Sequence, residues 1–149
     1  MRLALYQPDI AQNLGTNLRT AACLGVGVDI ILPCGFAFDD RKIRRAGMDY
    51  IEHVQYKTHD SWEDFTQYAK ENGKRIVLLS SKASLSYTQF EFDDNDILML
   101  GRESAGVPEH VAAYCGNDAV TIPMQGGMRS LNVAVSAAIV LGEALRQVG

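Results

Sequence analysis

Three segments of this chain combine glycine with small polar and charged side chains, as ligand-holding loops do. They are Leu79-Ser80-Ser81-Lys82, Gly101-Arg102-Glu103-Ser104-Ala105-Gly106, and Ile122-Pro123-Met124-Gln125-Gly126-Gly127-Met128-Arg129-Ser130. Glycine lets a backbone come close to a ligand and offers it bare N–H and C=O groups. None of the three is a GxGxxG or GxxxxGK[ST] element, which weighs against a dinucleotide or nucleoside-triphosphate phosphate cradle. Each alone reads as an ordinary tight turn; three in succession read as one composite site. A fourth group is Asn13, Gly15 and Arg19. Asn13 is of the type that caps a helix, and Gly15 and Arg19, four apart, share a helical face. Taken alone, this group reads first as a capped helix with a surface arginine.

Alternating elements must hold these loops. Nearly continuous apolar runs predict strands at Leu3–Gln7, Val28–Pro33, Arg75–Ser80, Asp96–Gly101 and Ala119–Pro123, with a weaker one at His53–Lys57. Runs such as IVLL and ILML suit a parallel sheet covered on both faces. Helices are predicted at Asn13–Leu24, Asp39–Ala46, Ser61–Asn72, Pro108–Tyr114 and Leu131–Val148. The alternation gives an α/β fold, an open, mostly parallel sheet with helices on both faces, over one domain spanning 1–149. In such sheets ligands sit beyond the carboxyl ends of strands, where the three loops fall. The last helix carries apolar residues around most of its circumference, from Leu131 to Leu145. It must be buried on more than one side, either at the centre of a monomer or against a partner subunit.

Bulk properties narrow the function. An apolar fraction of 47% and a charged fraction of 21% are globular rather than disordered. No signal-peptide pattern and no membrane-spanning run occurs, so a cytoplasmic protein without membrane contact is expected. Cys23, Cys34 and Cys115 make no CxxC or zinc spacing and read as reduced thiols. His53, His59 and His110 show no ligand spacing either, so no metal is expected. The net charge of −4 counts against indiscriminate nucleic-acid binding but allows a local basic patch.

The motifs together resemble a known family. The NxGxxxR element (Asn13, Gly15, Arg19), the MLGRESAGVP loop (Met99–Pro108) and the IPMxxxxRSLN segment (Ile122–Asn132) are similar to the three motifs of the 2′-O-methylating SPOUT methyltransferases, in that order. PCGFAFDDRKIRRAGMDY (Pro33–Tyr50) and EALRQ (Glu143–Gln147) resemble the small tRNA (cytidine/uridine-34-2′-O)-methyltransferase subgroup. The resemblance covers essentially the whole chain. It implies a C-terminal trefoil knot, which general topology rules would not suggest. It also implies a homodimer, S-adenosyl-L-methionine as cofactor, and the anticodon stem-loop of tRNA as partner. By position, it places Leu79, Ser80, Gly101, Glu103, Ile122, Met124, Ser130 and Leu131 at the cofactor, and Asn13, Arg19, Ser130 and Asn132 at the chemistry. The chain departs from the family at Arg102, where many relatives have proline, and at Leu131, where many have methionine.

The cofactor's sulfonium supplies the activation, so the protein has to align the ribose 2′-oxygen and assist loss of its proton. An arginine essentially never deprotonates, so Arg19 is given an electrostatic role on a phosphate or ribose oxygen. Glu103 either accepts the proton or pins its loop. Ser130 is at once a candidate N-cap of the last helix and a ligand contact; Asn132 is a first-turn residue or part of the site. RNA contact is assigned to Arg41, Lys42, Arg44, Arg45 and Arg129. Asp39 and Asp40 partly neutralise the Arg41–Arg45 run and can cap its helix. Tyr6, Phe36 and Phe38 stack a base or pack the core. Alternative functions are ribosomal-RNA 2′-O-methylation and non-catalytic nucleotide or RNA binding; base N-methylation is disfavoured by NxGxxxR and RSLN.

Overall fold

Along β1 (Arg2–Tyr6), Leu3 and Leu5 point to one face and Ala4 and Tyr6 to the other, all buried. The same alternation runs through β2 (Gly27–Ile31), β4 (Arg75–Leu79) and β5 (Asp96–Leu100). A strand apolar on both faces can only lie inside a sheet covered on both sides. The computed structural model describes residues 1–46 and 48–149, with the side chains of Asp40, Lys42, Ala46, Met48, Asp49 and Ile51 outside the description. Adding β3 (Tyr56–His59) and β6 (Ala119–Val120) gives a sheet of order β3-β2-β1-β5-β4-β6, in which every neighbouring pair is parallel.

Helices α1 (Ala11–Leu24), α2 (Asp40–Ala46) and α5 (Val133–Val148) cover one face. Helices α3 (Trp62–Glu71) and α4 (Glu109–Cys115) cover the other. Leu14, Leu18 and Ala21 of α1 meet Ala137, Val140, Leu141 and Ala144 of α5 over Leu3, Val28, Val77 and Leu98. Opposite them, Trp62, Phe65 and Ala69 of α3 and Val111 and Cys115 of α4 cover Ala4, Ile76 and Ile97. The small residues on α1 and α5 let the two helices lie close over the sheet.

The predicted elements are present, with four local corrections. Helix α1 begins at Ala11, and its N-cap is Ile10, with no side-chain cap bond, so Asn13 is inside the first turn and not the cap. The α5 N-cap is Asn132, whose Oδ1 accepts from the N–H groups of Ala134 (2.8 Å) and Val135 (3.2 Å); Ser130 stands two residues too early. His53 belongs to a 3-10 turn over Met48–His53, and the weak strand lies further on as β3. The last strand stops at Val120 because Thr121 turns away. Its N–H donates to Leu85 O (2.8 Å), and its carbonyl accepts from Tyr87 N–H (2.9 Å). The C-terminus is tied to the same β4–β5 connection, where Gln147 donates to Phe90 O (3.0 Å) and accepts from Phe92 N–H (2.9 Å).

Helix α5 is not central. One side is buried, while Val135, Ala138, Ile139 and Gly142 face outward; Val135 is 49% exposed and Ile139 37%. Among the described residues no helix is long and apolar enough to cross a membrane. Phe36 and Phe38 pack against the α1/α5 core, and Tyr6 lies in the opposite one.

The β1–β2–β3 half is knit by one buried carboxylate. Asp29, fully buried, accepts from Arg2 Nε at 2.6 Å and lies 2.8 Å from His59 Nε2. Gly27 makes room, since a Cβ there would fall 2.1 Å from Arg2 Nη1. Removing one partner of a buried charge cluster leaves the others uncompensated. Asp29→Ala is expected to lower stability by about 3 kcal/mol, measured by urea denaturation.

Candidate functional site

Strands β4, β5 and β6 are neighbours and parallel, so their carboxyl ends and following loops share one edge. A cleft of about 650 Å³ opens there. Its walls include Leu79, Ser80, Gly101, Glu103, Ile122, Met124, Ser130 and Leu131, the complete set expected at the cofactor. Lys82, Arg102 and Ser136 also border it. The β4 end is held by Ser80 N–H donating to Val120 O (2.9 Å), and by Ser80 Oγ accepting from Lys82 N–H (3.1 Å).

The loop after β5 folds back on itself. Arg102 N–H donates to Gly106 O and Gly106 N–H to Arg102 O, both at 2.9 Å. Gly106 has a φ of +61°, and a Cβ on Gly101 would lie 2.7 Å from the Gly106 backbone. Gly101 is therefore required by its own loop. The Arg102 guanidinium lies 5.7 Å from the Tyr6 ring centroid, and its Nε donates to Gly106 O (3.3 Å). The side chain clamps the loop, and its backbone closes the turn with an N–H that a proline would lack.

A polar chain leads from this loop to both flanking helices. Glu103 Oε2 accepts from Asp9 N–H (3.0 Å), and Glu103 N–H donates to Asp9 Oδ1 (3.2 Å). The Ser104 hydroxyl donates to Asp9 Oδ2. Glu103 Oε1 accepts from Asn13 Nδ2 (3.4 Å), and Asn13 Oδ1 accepts from Asn132 Nδ2 (3.1 Å). Asn132 then caps α5. Burial, then the adjoining Asp9, raises the Glu103 carboxyl above its usual range. Hydrogen bonds with Glu103 and Ser104 hold Asp9 below its own. Both Glu103 oxygens are thus engaged, and the side chain pins its loop to α1. Asp9 was not legible as a site residue, because no motif spacing links positions 9 and 103.

Arg19 is elsewhere. It is exposed on α1, with its guanidinium 4.9 Å from the Tyr50 ring centroid. It shares a shallow depression with Thr16, Thr20, Cys23, Leu24, Ala138 and Gly142, beside the bare side of α5. Arg41, Arg44 and Arg45 are exposed on α2, whose start is capped by Asp39 Oδ1 accepting from Arg41 N–H (2.8 Å). The Lys42 side chain lies outside the described residues. Arg129 is exposed in the loop before α5. Burial pushes the Cys34 and Cys115 thiols up to about 11, with Glu103 adding to the effect at Cys34 and Asp118 at Cys115, so both are protonated near neutral pH. His59 is structural, while His53 and His110 are exposed.

Residues 1–142 match the model of the SpoU rRNA Methylase family. The chain belongs to that family. A tRNA (cytidine(34)-2′-O)-methyltransferase from Beijerinckia indica subsp. indica is 60% identical over 148 residues, covering 99% of this chain and 91% of the relative. A solved structure concerning the 2-OH methylation of C/U34 on tRNA superposes with a TM-score of 0.90 at 41% identity, covering 98% of this chain and 94% of that one. An AdoMet-bound rRNA methyltransferase from Sinorhizobium meliloti gives a TM-score of 0.86 at 28% identity. It covers 97% of this chain but only 55% of that one.

In this SpoU methylase the segment closing the cleft is anchored by Asn132. Asn132→Ala removes the α5 cap and the donor to Asn13, and is expected to cost about 1 to 2 kcal/mol. Ser130→Ala, outside the cap, should change stability by less than about 0.5 kcal/mol. Chemical denaturation of the two variants checks the ordering.

Proposed function

We propose that this protein transfers the methyl group of S-adenosyl-L-methionine to the ribose 2′-hydroxyl of wobble nucleotide 34 in tRNA. The base is cytidine or a modified uridine, and leucine tRNAs are the expected substrates. The observation that carries this function is the cleft: eight residues from three separate segments, each assigned to the cofactor by motif position, line a single cavity. Its volume is within the range of about 300 to 1,000 Å³ usual for small-molecule sites. Leu79, Ile122, Met124 and Leu131 supply apolar walls for a purine, and the loop backbones supply polar partners. The cofactor brings an electrophilic methyl on a positively charged sulfur. The rest is positioning by this chain. Ser130 lines the cleft, and Asn13 bonds both Asn132 and Glu103. A tRNA substrate is favoured over ribosomal RNA by the identities, 60% to the tRNA (cytidine(34)-2′-O)-methyltransferase and 41% to the C/U34 structure against 28% to the ribosomal one. A single domain over 1–149 carries the activity, in the cytoplasm.

The active form is a homodimer. Val135, Ala138, Ile139 and Gly142 on α5, with Leu24 on α1, leave an apolar face that a second copy would cover. Arg19 lies on this face and not in its own cleft. Across a two-fold axis it would serve the partner's cleft, holding a phosphate or the ribose oxygen and favouring the developing alkoxide. The Arg41, Lys42, Arg44 and Arg45 patch, with Arg129, binds the anticodon stem-loop, whose unpaired nucleotide reaches the cleft without melting a duplex.

The direct test is methyl transfer from labelled cofactor to total tRNA and total rRNA, with the product nucleotide mapped; label confined to rRNA would overturn the assignment. Arg19→Ala should abolish turnover while keeping cofactor affinity, and Gly101→Val should lose cofactor binding in calorimetry. Mixing these two inactive variants should restore about a quarter of wild-type turnover, from random reassortment of a two-fold dimer. Neutralising Arg41, Arg44 and Arg45 should flatten the salt dependence of tRNA binding by about 0.7 to 0.9 log units per lost phosphate contact.

A further inference from the structure

Asp9, in the turn between β1 and α1, is met by the loop after β5 and the β2–α2 loop, and the polar chain continues from it to α5. The cofactor-side loop reaches it through Glu103 and Ser104, as described. Helix α1 starts two residues later and carries Asn13, the next member of the polar chain. The β2–α2 loop, which leads to the basic helix, packs directly on it. Gly35 N–H donates to Pro8 O at 3.0 Å, and a Cβ on Gly35 would lie 2.5 Å from Asp9 Cβ and 2.9 Å from its Cα. Helix α5 joins through Asn132.

The Asp9–Glu103 contact is reciprocal. Each residue's backbone N–H donates to the other's carboxylate, at 3.0 and 3.2 Å. This is the logic of a capping box, two side chains each satisfying the other's backbone donor, but closed across 94 residues of sequence. Two like charges side by side are tolerated because one carboxyl is held down and the other up, and because each meets N–H or O–H donors. Such an arrangement fixes two backbone segments against each other far more tightly than one hydrogen bond does.

We propose that Asp9 is a positioning residue of the methyl-transfer site. It sets the loop 101–106 against the start of α1, so that Glu103 is presented to Asn13, and Asn13 to Asn132, in one arrangement. This role rests on the methyl-transfer function proposed above. Asp9 itself is not part of the cleft lining and, by that placement, does not touch the reacting atoms; it acts through Glu103. Gly35 belongs to the same device, because only a residue without Cβ leaves Asp9 in place.

The test compares Asp9→Ala, Asp9→Asn and Gly35→Ala with wild-type enzyme on the tRNA that the wild type methylates. Asparagine keeps an oxygen to accept from Glu103 N–H, and the Ser104 hydroxyl can turn to accept from its amide. Asp9→Ala should lower kcat at saturating cofactor and RNA by on the order of tenfold to a hundredfold, as misplacement of catalytic groups does. Its KM for RNA should stay within about twofold, since the basic patch is untouched. Asp9→Asn should retain kcat within about threefold, by the same hydrogen-bond count. Gly35→Ala, which leaves Asp9 intact but displaces it, should fall with Asp9→Ala. Wild-type kcat in Asp9→Ala, or equal losses in Asp9→Asn and Asp9→Ala, would overturn the role while leaving the function standing. If Asp9→Ala does not fold, Asp9→Asn against Gly35→Ala decides, and equal kcat in those two overturns it. Absence of methyl transfer by the wild type on any RNA would instead sink the function itself.

Discussion

A sheet whose strands are apolar on both faces can exist only between two layers of helices. In this protein that requirement sets almost everything else. Because every strand runs the same way, each connection must cross the sheet through a helix or a long loop, and all the strand ends that precede these crossovers lie on one edge. The edge is polar by necessity, since backbone groups there have no ladder partner and must find side chains, turns or a ligand. The cleft is therefore a by-product of the sheet's direction, and the loops of β4, β5 and β6 are brought together by strand order rather than by any affinity for each other.

What the loops add is rigidity. The loop after β5 is closed by paired backbone bonds between Arg102 and Gly106, with the Arg102 side chain laid toward Tyr6. From there a run of hydrogen bonds passes through Asp9, Glu103, Asn13 and Asn132 into the first turn of α5. Helix ends carry unsatisfied N–H groups, and a buried carboxylate or amide must be matched by donors or acceptors. Each residue in the run solves such a problem for its neighbour. The cofactor-side loop, the start of α1 and the start of α5 are thereby fixed as one unit.

The outer side of α5 shows the opposite condition. Val135 and Ile139 leave apolar surface on a helix whose inner side is already packed. Arg19 projects from the same region, 4.9 Å from the Tyr50 ring and away from the cleft of its own chain. In the proposed dimer a second copy of the chain would cover this face and receive Arg19 at its cleft.

The sequence by itself determined the layered α/β architecture, because buried parallel strands need apolar runs and surface helices need stripes, and both patterns are local. It also picked out, through glycine and small polar residues behind strands, the loops that line the cleft, and the motif order pointed to the family. It misplaced the caps of α1 and α5: α1 starts after Ile10 with no side-chain cap while Asn13 turns inward to Glu103, and at α5, where two candidates stood within a turn, Asn132 and not Ser130 took the cap. Only the tertiary structure could pair Asp9 with Glu103, or separate Arg19 from the cleft. Those relations depend on which strands become neighbours and which helix face stays bare. Strand order is fixed by the summed burial of the whole sheet, and no spacing between two positions in the chain records it.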